Sequence, residues 1–137
     1  LRPTDLNAFI GLEQMKKIDS NIERRNNIFE IYDSKIKSQY WKPKKYKDRY
    51  ISNFAYPIIH PKRSNTVKKL LDNNIECRPM ICGSMGNQPF YVKQYRRLTL
   101  PNVSKVDRYG FYIPNHPSLK KSEINTIIDI VNETTHE

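Results

Sequence analysis

Pro57 stands inside the clearest period-two stretch of the sequence, Ile51 to His60, and no other feature limits the fold as tightly. Phe54, Tyr56 and Ile58 share one face and Ala55 and Ile59 the other, the pattern of a strand. A proline within it removes a ladder donor, so this strand belongs at a sheet edge or a bulge. A second short strand is expected near Ile75 to Met80, and a third from Phe111 to Ile113, ending in PNHP.

Helical spacing surrounds these strands. Thr4 or Asp5 can cap a first helix, in which Leu6, Phe9, Ile10, Met15 and Ile18 recur on one side. Gly11 interrupts it, either for a close neighbouring backbone or as a tolerated accident costing about 1 kcal/mol. Asp19 or Ser20 can cap a second helix with Ile22, Ile28, Phe29, Tyr32 and Ile36 inward; Glu23, Arg24, Arg25, Glu30 and Lys35 fall mostly outward. The two helices form a kinked pair or a hairpin. A short helix capped by Ser64 carries Val67, Leu70 and Leu71, and Asn73 or Asn74 can close it in the left-handed region. CGSMGNQPFY reads as loop, Pro101 and Asn102 open a brief helical turn through Val106, and a last helix runs from Lys120 to Asn132 with Ile124, Ile127, Ile128 and Val131 inward. The order implies an α+β fold: a small, mostly antiparallel sheet with helices packed on one face, preceded by two long helical segments.

A chain of 137 residues can bury one core without disulfides or metals. Cys77 and Cys82 form no disulfide framework, and His60, His116 and His136 are scattered, so no zinc spacing exists. No apolar run reaches the length of a membrane span and no signal pattern opens the chain, so a soluble, cytoplasmic protein is expected. The net charge of +10 attracts phosphates of any kind, whether nucleotide, nucleic acid or headgroup, although a lysine-rich solvated surface gives the same number. Residues 40–50 place five basic side chains after Trp41 among four aromatics, which suits a single-stranded nucleic acid or a loop with snorkelling lysines.

No catalytic constellation is complete. Neither His60 nor His116 accompanies a nucleophile motif, and no phosphate-cradling or dinucleotide-binding glycine pattern is present. What remains suits an anion: Arg2, Arg78, the backbone amides around Gly83 and Gly86, and the pair Asn115–His116.

The opening LRPTDLNAFIGLEQMKKIDSNIERRNNIFEIY resembles the start of the carboxy-terminal part of the DegT/StrS family of sugar aminotransferases and dehydratases. IECRPM at 75–80, NQPFY at 87–91, LPN at 100–102 and GFYIPNHPSL at 110–119 follow in that family's order. The resemblance implies the small domain of a fold-type-I pyridoxal-phosphate enzyme, with residues 1–38 linking to a large domain and dimer interface and 39–137 forming a small α+β domain. It begins one residue after the family motif's expected asparagine. The Schiff-base lysine is therefore expected upstream, no lysine here takes its role, and the isolated chain is expected to show no turnover.

By the same resemblance Arg2 reaches toward the cofactor phosphate of a neighbouring subunit. Arg78, Gly83, Gln88, Tyr91, Asn115 and His116 border the substrate entrance. The implied substrate is a nucleotide sugar, with an amino donor such as glutamate in a homodimer; neither membrane nor nucleic acid is an expected partner. Gly86 stands where many members have histidine, and the longer spacing from Arg78 to Gln88, with Gly83 between, looks more like the branch of deoxysugar 3-dehydratases, which carries histidine in place of the cofactor lysine. Amination and dehydration both remain open, and a nucleic-acid-binding or dimerisation module is the alternative outside this family.

Overall fold

The computed structural model describes residues 4–37, 41, 42, 44, 48, 50–81 and 83–136. In chain order it contains α1 (Asp5–Met15), α2 (Ile18–Lys35), β1 (Ala55–Ile59), α3 (Arg63–Asp72), β2 (Arg78–Pro79), a 3-10 turn (Met85–Asn87), α4 (Pro89–Gln94), α5 (Pro101–Tyr109), β3 (Gly110–Pro114) and α6 (Lys121–His136). The strands lie in the order β1-β3-β2, all antiparallel. Pro57 therefore sits on an edge strand, opposite Tyr112, where a missing donor is tolerated.

The pleat divides the sheet. Tyr56 pairs with Ile113 and Ile58 with Phe111, and all four are fully buried on the inner face. Onto them pack Ile28, Phe29, Tyr32 and Ile36 from the end of α2, Leu70 of α3, and Ile124, Ile127, Ile128 and Val131 of α6. Each such side chain contributes about 1.5–3 kcal/mol through burial. Phe29 meets Tyr56 edge-on with ring centroids 4.9 Å apart. The expected apolar faces of α2 and α6 are thus the observed ones, except that Ile22 is only half-buried. Among the cations of α2, Arg24 turns back to the chain and donates to the carbonyls of Pro117 and Leu119.

Several boundaries differ from the sequence expectation, each for a local reason. Thr4 caps α1 as expected, accepting from the Asn7 N–H at 3.3 Å. Lys16 and Lys17 keep right-handed helical angles, so α1 bends into α2 without reversing, and α2 starts at Ile18 with no side-chain cap from Asp19 or Ser20. Lys62, not Ser64, precedes α3; its N–H is held by His60 Nδ1 at 3.1 Å. Asn74 closes α3 at φ 59, as its type allows. The second strand shrinks to two residues, because only Arg78 and Pro79 pair with β3. Pro89 takes the first helical position of α4, where it lacks only an N–H that would be idle, so part of the expected loop is helix. The last helix continues past Asn132, with Thr134 and Thr135 both buried and donating their hydroxyls to carbonyls one turn back, and Thr134 also meets Thr66 Oγ1 at 2.9 Å.

Nothing in α1 is buried. Leu6, Phe9, Leu12 and Met15 remain 61–67% exposed, and a side chain at Gly11 would meet no atom within 4 Å. Among the described residues no close backbone accounts for that glycine.

His60 gives the fold a pH dependence. It is buried between β1 and α3, and burial, then Lys62, lowers its pKa below the ordinary value. Its Nδ1 must stay unprotonated to accept from Lys62. The neutral form is therefore the folded form: its stabilisation is present above the ordinary histidine pKa and disappears as pH falls through the lowered one. His60→Asn, which keeps an acceptor but does not titrate, should flatten this acid limb by about 1 kcal/mol in thermal melts across that range. An unchanged acid limb would exclude His60 as its source.

Candidate functional site

The outer face of the sheet carries a candidate site. Ala55, Pro57 and Ile59 of β1 project away from the core, as do Tyr112 of β3 and Arg78 of β2. α5 borders this face, and with it makes an open pocket of about 800 Å³ walled by Trp41, Pro57, Ile59, Met80, Val106 and Tyr109, with Asn102 and Lys105 as its polar groups. On α5 these residues fall at 102, 105, 106 and 109, one helical stripe. A shallower hollow lies further along the face, between Phe54, Cys77, Arg78, Tyr112 and Pro114.

Of the expected site residues, Arg78 lies on this face and Gly83 lies against α5, whereas Asn115 continues the inner-face alternation of Phe111 and Ile113. Arg78 is exposed and forms an ion pair with Glu76 Oε1, with Nε at 2.8 Å, and this pairing raises its pKa. Gly83 adopts φ +53, and a Cβ there would fall 2.2 Å from Asp107 Oδ1, so this loop lies directly against α5. Gln88 precedes α4, and Tyr91 on α4 is half-buried with its ring 5.0 Å from that of Tyr95. Asn115 is fully buried; its Nδ2 donates to the carbonyls of Asn53, at 2.8 Å, and Arg25, at 3.2 Å. His116 is exposed and accepts from the Ser118 N–H. Among the described residues no hydrogen bond joins Arg78 to Asn115 or His116. Arg2 lies outside the described residues, as do Cys82 and most of 40–50.

Gly86, at the position where histidine was the family expectation, is buried, and a Cβ would stand 2.3 Å from the Leu98 carbonyl. The backbone has closed over the space that a side chain needs.

Sequence reasoning missed the pocket itself, including Trp41, Asn102 and Lys105. One signal was available. From Cys77 to Val106 the chain holds no Asp or Glu, while Arg78, Lys93, Arg96, Arg97 and Lys105 are all basic. Arg78 is neutralised by Glu76 just outside this stretch; Lys93, Arg96, Arg97 and Lys105 are exposed and make no ion pair among the described residues. The described residues contain no cluster fit to hold a metal ion and no helix long and apolar enough to cross a membrane.

This architecture recurs in larger enzymes. DesV of S. venezuelae, solved in complex with a ketimine intermediate, superposes with a TM-score of 0.87 at 18% identity, over 99% of this chain and 38% of its own. The E. coli GDP-4-keto-6-deoxy-D-mannose-3-dehydratase with bound hydrated PLP gives 0.79 at 24%, over 96% and 36%. The fold is that of a partial domain of fold-type-I aminotransferases. The chain belongs to the DegT/DnrJ/EryC1/StrS aminotransferase family, whose sequence model matches residues 1–132. GDP-4-keto-6-deoxy-D-mannose 3-dehydratase of Yersinia pseudotuberculosis is 26% identical over 96% of this chain. GDP-perosamine synthase of Escherichia coli O157:H7 is 28% identical over the same share. The chain spans about a third of the length of these relatives, 35% and 36%.

Proposed function

We propose that this chain supplies the small-domain part of a pyridoxal-phosphate enzyme acting on nucleoside-diphosphate keto-deoxysugars. The match of residues 1–132 to the family, over about a third of the relatives' length, carries this reading. The reaction is transamination or 3-dehydration, and the setting is the cytoplasmic synthesis of surface-polysaccharide sugars. Residues 1–38 would join the rest of the enzyme and a homodimer interface, a role supported by the bare apolar stripe on α1. Residues 39–137 would form the small domain.

We assign the cofactor mainly to the remainder of the enzyme, which would carry the electron-sink chemistry. To this chain we assign orientation and charge. Arg2 would serve the cofactor phosphate, while Arg78, Gly83, Gln88, Tyr91, Asn115 and His116 would border the substrate.

The test is turnover of a GDP-linked 4-keto-6-deoxy sugar with pyridoxal phosphate and glutamate, followed by mass spectrometry of the product. The complete polypeptide should yield an amino sugar or a 3-deoxy sugar, and the two masses separate the reactions. The 137-residue chain alone should give neither. Product from that chain alone, or no product from the complete polypeptide, would overturn the reading.

A further inference from the structure

We infer that Lys93, Arg96 and Arg97 steer an anionic substrate toward its entrance without holding it there. The inference rests on the nucleotide-sugar reading and gives a role to cations which that reading leaves idle. The first observation is where the charge lies. A lysine-rich surface of no particular purpose would spread its excess along the chain. Instead, residues 1–38 hold seven basic and six acidic side chains, residues 107–137 hold three basic and five acidic, and residues 77–106 hold five basic and none acidic. The excess is local. Second, most of the cations in that last stretch are uncommitted. Arg78 is paired with Glu76 and Lys105 lines the pocket, but Lys93, Arg96 and Arg97 are exposed, form no ion pair among the described residues, and line neither the pocket nor the hollow beside it. So exposed, a cation gains little from a contact, yet its field still reaches about 10 Å at 0.1 M salt. Third, these three are held in place. The Leu98 N–H donates to the Gly86 carbonyl at 3.2 Å and closes residues 86–98 into one loop, within which the Tyr91 and Tyr95 rings meet at 5.0 Å. Gln88 and Tyr91, two of the residues we assign to the substrate border, belong to the same loop, and no carboxylate side chain does. A diphosphate nearing that border meets an attractive field before it meets any donor. Fields of this kind raise association rates by about 10- to 1,000-fold.

The test separates association from dissociation. Guanosine diphosphate carrying a fluorescent label on its ribose is mixed with the complete polypeptide by stopped flow, and both rate constants are followed against salt. Lys93→Ala, Arg96→Ala and Arg97→Ala combined should slow association about tenfold at about 0.01 M salt, where the screening length is about 30 Å. At about 1 M, where that length is about 3 Å, the combined variant should match the parent. Dissociation should stay within about twofold throughout. Exchanging charge for charge, with Lys93→Arg, Arg96→Lys and Arg97→Lys combined, should keep the fast association, because a field depends on charge and not on the fork of a guanidinium. Faster dissociation at unchanged association would make the three contact residues and overturn the inference. So would salt-independent association, or a charge-for-charge variant as slow as the neutral one. Turnover is read separately. Unsteered binding in a polypeptide that converts the GDP-linked sugar refutes the steering alone, steered binding without turnover refutes the reaction, and no binding of the nucleotide at all overturns both.

Discussion

Phe111→Ala should destabilise the chain by about 3–5 kcal/mol, read as a fall in the urea midpoint at unchanged slope. Phe111 is fully buried on β3, the central strand, facing Ile58 across the ladder. It belongs to the cluster that also gathers α2, α3 and α6, so the vacated volume is bordered by several elements and cannot close by moving one. A domain of this size is stable by roughly 5–15 kcal/mol, so the loss is a large fraction of the whole. Phe90→Ala is the control: Phe90 is 62% exposed on α4, and its truncation should stay within about 0.5 kcal/mol. Equal losses at the two positions would show that β3 does not anchor the core.

The contrast between those two phenylalanines marks where the sequence was legible. Periodicity exposes a face wherever one element meets one core, and so α2, α6 and the inner pair Tyr56 and Ile58 were readable. Pro57 revealed its edge position because a missing donor is a property of one residue. Asn74 revealed a helix end for the same reason. Pairing across distance was not readable. Arg78 and Pro79 are strand only because β3, more than thirty residues later, lies beside them. Nor does a pattern say what covers it: Leu6, Phe9 and Met15 mark a helical face as clearly as Ile28 and Tyr32 do, yet the former are bare and the latter buried.

The candidate site divides in the same way. Arg78, Gly83 and the Asn115–His116 pair stood out by residue type and family resemblance. The pocket did not, because Trp41, Ile59, Met80 and Lys105 come from four separate parts of the chain and meet only when β3 places α5 against β1. Local chemistry also did not show how deeply the polar end of β3 is buried. Asn115 is the most buried of the site residues in the described structure, and its amide donates inward rather than to solvent.

That burial makes Asn115→Asp the sharpest test of what the residue does. The Nδ2 group holds together the Arg25 carbonyl on α2 and the Asn53 carbonyl before β1, while the backbone N–H donates to Phe54 at 3.2 Å. An aspartate of the same shape removes both side-chain donors and turns a carboxylate toward the two carbonyl oxygens that Nδ2 serves. A buried charge left without its hydrogen bonds costs about 3–5 kcal/mol, so the variant should be close to unfolding at neutral pH. The sign of its pH dependence follows. Burial raises the new carboxyl's pKa in the folded state, so the neutral acid is the form that fits. The deficit should shrink as pH falls toward the ordinary aspartate value of about 3.9 and widen as pH rises through the raised one. Chemical denaturation at two pH values measures both. A variant as stable as the parent at neutral pH would mean that this clamp is dispensable, and would free Asn115 for a role at the substrate alone.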